Sequence, residues 1–202
     1  MNPKYLNLDI ARRYLRSGDL VFYRMTKKFG LGWITERLIS WWQNSPYIHV
    51  GLIVVKDNEP WVIDMSASAG GRELPLVDDL PNYSVDIYRV NRKTNTRLFF
   101  DDFLQEETFT WEVDRIIESV KRLTKRPYSW RANLRIVFER MMGYDRLSND
   151  KASVRKANCA TVIESAFYEN GFDLCPRVSP NFATPDRLAK SALVDYLFTV
   201  SQ

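Results

Sequence analysis

Within Asn158-Cys159-Ala160-Thr161-Val162-Ile163-Glu164-Ser165 a capping residue, a thiol and an apolar helical face follow one another. Asn158 reads as an N-cap, its side chain accepting from a free amide of the first helical turn. Cys159 then falls in that turn, where unpaired amides and the macrodipole favour an anion and lower a thiol pKa. Such a thiol is suited to be a nucleophile, although a cysteine opening a helix is more often a small buried hydrophobe. Val162, Ile163, Ala166 and Phe167 follow at helical spacing, and Asn170-Gly171 supplies the stop.

A thiol nucleophile needs a base, and the base needs a group that orients it. His49 is the only histidine of the chain, so there is one candidate base. It opens the apolar run 49–55, the strongest strand signal in the sequence, and the polar residues 56–59 lead into a second strand over 60–66. With those four residues as the loop, Val55 pairs with Pro60. His49 then lies opposite Ser66, with Asp64 diagonal to it on the same face. Asp64 is therefore the expected orienting carboxylate. A loop one residue different in length would put the two on opposite faces, with Glu73 or Asp79 as the substitute acid. For the three groups to act together, His49 and Asp64 must share one sheet face toward the N-terminus of the Cys159 helix.

The elements that must hold these groups are legible in outline. Residues 5–16 read as a short helix with Leu6, Ile10, Tyr14 and Leu15 inward, and 19–24 alternate as a strand. An amphipathic helix is expected over 32–43, where Trp33, Trp41 and Trp42 contribute to an aromatic stripe. After Ala69-Gly70-Gly71 the chain is turn-rich as far as Asn82, residues 84–90 form a third strand of the sheet, and 92–107 are a polar excursion. A helix over 110–124 directs Val113, Ile116, Ile117, Val120 and Leu123 inward and stops at Lys125-Arg126-Pro127. Another amphipathic helix follows Tyr128-Ser129-Trp130 and ends near Met142-Gly143, before a polar loop over 145–156. A short helix near 185–190 and an apolar segment over 193–200 close the chain.

Composition narrows the class. The 202 residues, 45% hydrophobic and 27% charged, suit one folded domain over 1–202 with a helical, basic insert around 131–157. The net charge of +4 permits an anionic partner without requiring one, and no nucleic-acid partner is expected. The segment before the thiol alone carries as much net charge as the whole chain: from Arg131 to Asn158 seven basic residues stand against three acidic ones. Zinc-type Cys/His spacing and Gly-rich phosphate loops are missing from the sequence, so neither a metal nor a cofactor is expected. Cys159 and Cys175 flank the ends of a helix of roughly 16 Å and read as free thiols. Residues 1–16 lack the apolar core of a secretory signal, and no run approaches a membrane span. The expected location is thus the cytoplasm, or delivery as a phage virion component or secreted effector.

Four short segments together resemble a known family: Ser17-Gly18-Asp19-Leu20-Val21-Phe22, then Ser45-Pro46-Tyr47-Ile48-His49-Val50-Gly51-Leu52, then Val62-Ile63-Asp64, then Asn158-Cys159 opening a helix. Their order, histidine before cysteine, is similar to the circularly permuted papain-like group of the NlpC superfamily, of the YiiX-like kind. Pro127-Tyr128-Ser129-Trp130 resembles the Pro-Tyr-x-Trp element of that superfamily, with Arg131-Ala132 where Gly-Gly is common. The resemblance implies an α+β, permuted papain-like domain, a small antiparallel sheet packed against the cysteine helix. It implies a cysteine peptidase or amidase with Cys159 as nucleophile, His49 as base and Asp64 orienting it, Tyr128 and Trp130 bordering the oxyanion and substrate region, and a peptidoglycan peptide as substrate. A lipid-directed thioesterase, amidase or acyltransferase acting on an acylated substrate, with the tryptophan stripe as acyl groove, is the rival enzyme. A non-catalytic structural protein on the same fold is the rival from another class.

Overall fold

Asp57 and Asn58 alone join β3 (Tyr47–Lys56) to β4 (Glu59–Ser66). Both lie in the left-handed region, with φ of 48° and 63°, which is the pattern of a two-residue type I′ hairpin turn. The expected loop of four residues is therefore shortened symmetrically: Lys56 pairs with Glu59, Val55 still pairs with Pro60, and the register is unchanged. The computed structural model describes residues 4–24, 45–67, 69–91, 113–128, 158–176 and 180–201.

Around this hairpin stands a seven-stranded sheet in the order β1-β7-β6-β2-β3-β4-β5. The outer members are β1 (Tyr5–Leu6), β7 (Val194–Val200) and β6 (Val85–Val90) on one side, then β2 (Leu20–Arg24), with β5 (Gly70–Pro75) at the far edge. Every pair is antiparallel except β1 with β7. Alternation along the strands sorts two cores. Leu20, Phe22, Val50, Leu52, Ile63 and Met65 pack with α4 (Cys159–Glu169) and with the inward side of α3 (Val113–Thr124). Val21, Tyr23, Ile53, Val62, Val85 and Ile87 pack on the opposite face with Ala11, Leu15 and Leu76. Val162, Ile163, Ala166 and Phe167 of α4 are all buried, so this helix is driven into place by the apolar side on which its sequence insists.

Three elements differ from the expectation. The first helix is only α1 (Leu8–Ala11), because the Asn7 side chain caps it at Ile10 N while Tyr5 and Leu6 leave to pair with β7. Ala11 and Leu15 face inward, whereas Ile10 and Tyr14 are exposed. The turn-rich stretch contains β5 and the single helical turn α2 (Leu76–Asp79). The last apolar segment is the strand β7, which pairs with β6 after α5 (Pro185–Ala189). The expected helices over 32–43 and after Trp130, with the basic insert, lie outside the described residues.

Candidate active site

Asn158 has the extended backbone of an N-cap, and its Oδ1 accepts from Thr161 N at 2.8 Å. Cys159 is thereby the first residue of α4, its backbone N–H among the amides a helix leaves unpaired. Val162 N closes the first helical bond on Asn158 O, and Gly171, at φ 89°, ends the element as the sequence indicates. The thiol is buried at 8% exposure, so its neighbours rather than solvent set its charge.

The nearest titratable neighbour is His49. At the start of β3 the ladder with β2 shifts: Tyr23 faces His49, but Arg24 faces Tyr47, leaving Ile48 as an extra residue. Such a bulge bends the strand and re-aims side chains. Here it turns Tyr47 toward the α4 core and leaves His49 with Tyr23, whose ring meets the imidazole edge-on at 5.2 Å between centroids. Tyr47 is fixed in turn, its hydroxyl donating at 2.6 Å to Asp86, a fully buried carboxylate that also accepts from Arg24 and Thr199.

His49 and Asp64 share the face that the register requires, and His49 Nε2 lies 2.9 Å from Asp64 Oδ2. The body of α4 packs against the other face of the sheet. Its N-terminus meets the imidazole at the end of β3, where Cys159 and His49 interact electrostatically. Nε2 being engaged by Asp64, Nδ1 is the ring nitrogen left for the sulfur.

The charges reinforce one another. Burial opposes ionisation of the thiol, but the His49 imidazolium, its hydrogen bond and the Val50 backbone N–H outweigh that and lower the Cys159 pKa. Burial likewise opposes the imidazolium, while the facing thiolate and the Asp64 carboxylate push His49 up to about 10. Burial would raise Asp64; His49 and then Arg72 hold it below its ordinary value. The arrangement therefore favours the thiolate–imidazolium pair over the neutral thiol and imidazole.

Of the other sequence candidates, Glu73 turns away to Lys56 at 2.6 Å and Lys121 at 3.4 Å. Asp79 accepts from the Tyr23 hydroxyl at 2.6 Å and sits beside Arg72. Tyr128 is half-buried against the core that contains Cys159, and Trp130 lies outside the described residues, as do Trp33, Trp41 and Trp42. Sequence reasoning missed Arg72, which grips Asp64 from β5, and Tyr23. The available signal was a lone arginine directly after a glycine pair and an aromatic on the strand before His49. Cys175 is buried and unpaired in a disulfide, and burial, with Glu164 beside it, raises its pKa, the opposite environment to that of Cys159. Among the described residues no helix is long and apolar enough to cross a membrane.

Neither a family model nor a curated protein matches the chain. Among solved structures, that of the metalloprotein YiiX from Escherichia coli O157:H7, DUF1105, superposes with a TM-score of 0.57 at 13% identity, covering 93% of this chain and 98% of that one. The fold is YiiX-like. At this identity the likeness concerns the path of the backbone, a mixed α/β architecture around the seven-stranded sheet, and leaves the chemistry to be argued from the site.

Proposed function

We propose that the protein is a cysteine-dependent hydrolase of amide bonds, with a permuted papain-like arrangement of its site and a peptidoglycan peptide as substrate. One observation carries this reading: a thiol at a helix N-terminus, the only imidazole of the chain and a buried carboxylate form one row from three elements, the imidazole hydrogen-bonded to the carboxylate and interacting with the thiol. Such a row is the nucleophile, base and orienting acid of acyl transfer.

Cys159 Sγ attacks the scissile carbonyl, forming the S–C bond while the carbonyl oxygen gains the charge. The Cys159 backbone N–H, unpaired at the first helical position, faces that charge as an oxyanion donor, and Tyr128 stands near the same core. Collapse breaks the C–N bond, and the amine leaves with the proton held by His49. Water, giving its proton to the now neutral imidazole, then cleaves the thioester and regenerates the thiolate–imidazolium pair. Asp64 keeps Nε2 occupied and stabilises the imidazolium throughout.

The YiiX structure is described as that of a metalloprotein. The present donors do not suit a cation: both Asp64 oxygens are taken by Arg72, and His49 is engaged by Asp64 and Cys159. Among the described residues no three His, Cys, Asp or Glu side chains converge as ligands, and no step of the reaction above needs one.

Purified sacculi incubated with wild-type protein, with Cys159→Ala and with His49→Ala, and read by mass spectrometry, test the proposal. Release of peptide fragments by the wild-type protein alone is expected. Turnover of acylated lipids or acylated peptides without action on sacculi would move the substrate to the lipid class, and no thiol-dependent product from either would refute the hydrolase.

A further inference from the structure

Asp64 has no solvent-exposed side-chain surface, and a carboxylate so placed takes up a proton unless it is paired. His49 gives it one hydrogen bond, to one oxygen. Arg72, its register partner on β5, supplies the rest: Nε donates to Oδ1 at 2.7 Å and Nη2 to Oδ2 at 2.8 Å, a two-pronged contact that fixes the plane of the carboxylate. Arg72 is held from behind. Its Nη1 and Nη2 lie 3.4 Å and 3.3 Å from the two oxygens of Asp79 on α2. The Tyr23 hydroxyl donates to Asp79 at 2.6 Å, and the Tyr23 ring rests against His49. His49, Asp64, Arg72, Asp79 and Tyr23 thus form a closed circuit drawn from β3, β4, β5, α2 and β2.

We propose that Arg72, braced by Asp79 and Tyr23, is a positioning residue of this site: it keeps Asp64 ionised and fixes the plane in which Oδ2 meets His49. The proposal rests on reading Cys159, His49 and Asp64 as one working unit. Among the described residues the charged and titratable groups facing Asp64 are His49 from β3, Arg72 from β5, Tyr23 from β2 and, beyond them, Cys159 from α4 and Asp79 from α2. Without the guanidinium, two carboxylates and a thiolate face a single imidazolium, and the cheapest relief is protonation of Asp64. His49 then loses the anion that holds its charged form, and the thiolate loses its cation at a lower pH. The backbone is set for this grip. A methyl on Gly71 would stand 2.2 Å from Thr124 O, so glycine lets β5 lie against the end of α3, with Arg72 the next residue along.

The single histidine makes a direct test possible. In protein labelled with [13C]histidine the imidazole carbon reports His49 alone, and its acid-side inflection reports Asp64. In the wild-type protein that inflection is expected below the ordinary carboxylate range. Arg72→Gln is expected to raise it by about one pH unit or more, since an adjacent opposite charge lowers a carboxylate by about one to three units. Cys159 alkylation at acid pH should fall about tenfold with it. Arg72→Lys, a point charge without the fork, should restore part of the shift, and Asp79→Asn should give a smaller one. Should Arg72→Gln not fold, the Lys and Asp79→Asn variants carry the same comparison. Titrations of all variants that superimpose on the wild type would reduce Arg72 to a surface ion pair and overturn the proposal. Wild-type protein inactive on every substrate, with the Arg72→Gln shift present, would refute the hydrolase and leave the hold of Arg72 on Asp64 standing.

Discussion

Gly51 sits on β3 between His49 and Ile53 and directly opposite Asp64, so a methyl added there probes the site without adding or removing any ionisable group. That methyl would stand 2.6 Å from Val62 Cγ1, 3.1 Å from Asp64 Cβ and 3.2 Å from Ile63 O. Carbon atoms in ordinary contact stay about 3.5–4.0 Å apart, so Val62 must retreat by about 1 Å and Asp64 by about half as much. Val62 is fully buried and its branch is short, which leaves the strand backbone to absorb part of the shift. Overpacking by one methyl costs about 1–3 kcal/mol, and the conformational gain of replacing a strand glycine returns up to about 1 kcal/mol. A net loss of about 1–2 kcal/mol in urea unfolding is expected for Gly51→Ala. The same displacement would lengthen the His49–Asp64 bond of 2.9 Å toward the outer limit of hydrogen bonding. Since a misplacement of 1 Å can cost about a hundredfold, Cys159 alkylation below neutral pH should slow by about tenfold. Val62→Ala opens the needed space, so the double variant should be less damaged than the two single changes combined, by about 1 kcal/mol. Strict additivity, or a Gly51→Ala protein with unchanged stability and alkylation, would refute the reasoning.

Asn158→Ala removes the acceptor for Thr161 N at 2.8 Å and should cost about 1 kcal/mol in urea unfolding, with Asn158→Asp retaining most of it. Glu164 lies fully buried inside α4, where burial and then Asp173 raise its pKa well above the ordinary 4.5. Its folded pKa exceeds its unfolded one, so the wild-type protein should lose stability relative to Glu164→Gln as pH rises above 4.5, read as diverging urea midpoints; parallel midpoints would contradict it. In the proposed reaction the leaving amine takes its proton from His49, whose pKa is pushed up to about 10, so turnover should fall as pH rises through that value while thiol reactivity with alkylating reagents persists.

The parts of the site that are local in sequence were the readable ones. Asn158 and Cys159 carry their own instructions, a cap and a first turn, and the hairpin register followed from counting between Val55 and Pro60. It survived a wrong loop length because the one added pair, Lys56 with Glu59, is symmetric about Asp57-Asn58. Contacts made by a short edge strand were not readable. Gly70–Pro75 has too few residues and too much glycine to announce β5, so the meeting of Arg72 with Asp64 depends on a pairing that only the folded sheet defines. The bulge at Ile48 is equally silent, being a response to the Tyr47–Asp86 contact across the sheet. Tyr5 and Leu6 were read as helical because an apolar residue near a helix and one on a two-residue strand look alike until β7 is present to pair with them.

The central claim, that Cys159 is a thiolate paired with His49, is tested most directly by the pH dependence of its alkylation, followed by mass spectrometry at Cys159 and Cys175 separately. The wild-type Cys159 should react well below the pH at which an ordinary thiol ionises, about 8.5, and His49→Ala should abolish that advantage. Cys175, its pKa raised by burial, should stay unmodified in the folded protein. A Cys159 that follows the ordinary thiol curve, and follows it equally in His49→Ala, would contradict the account and return the residue to the hydrophobic core.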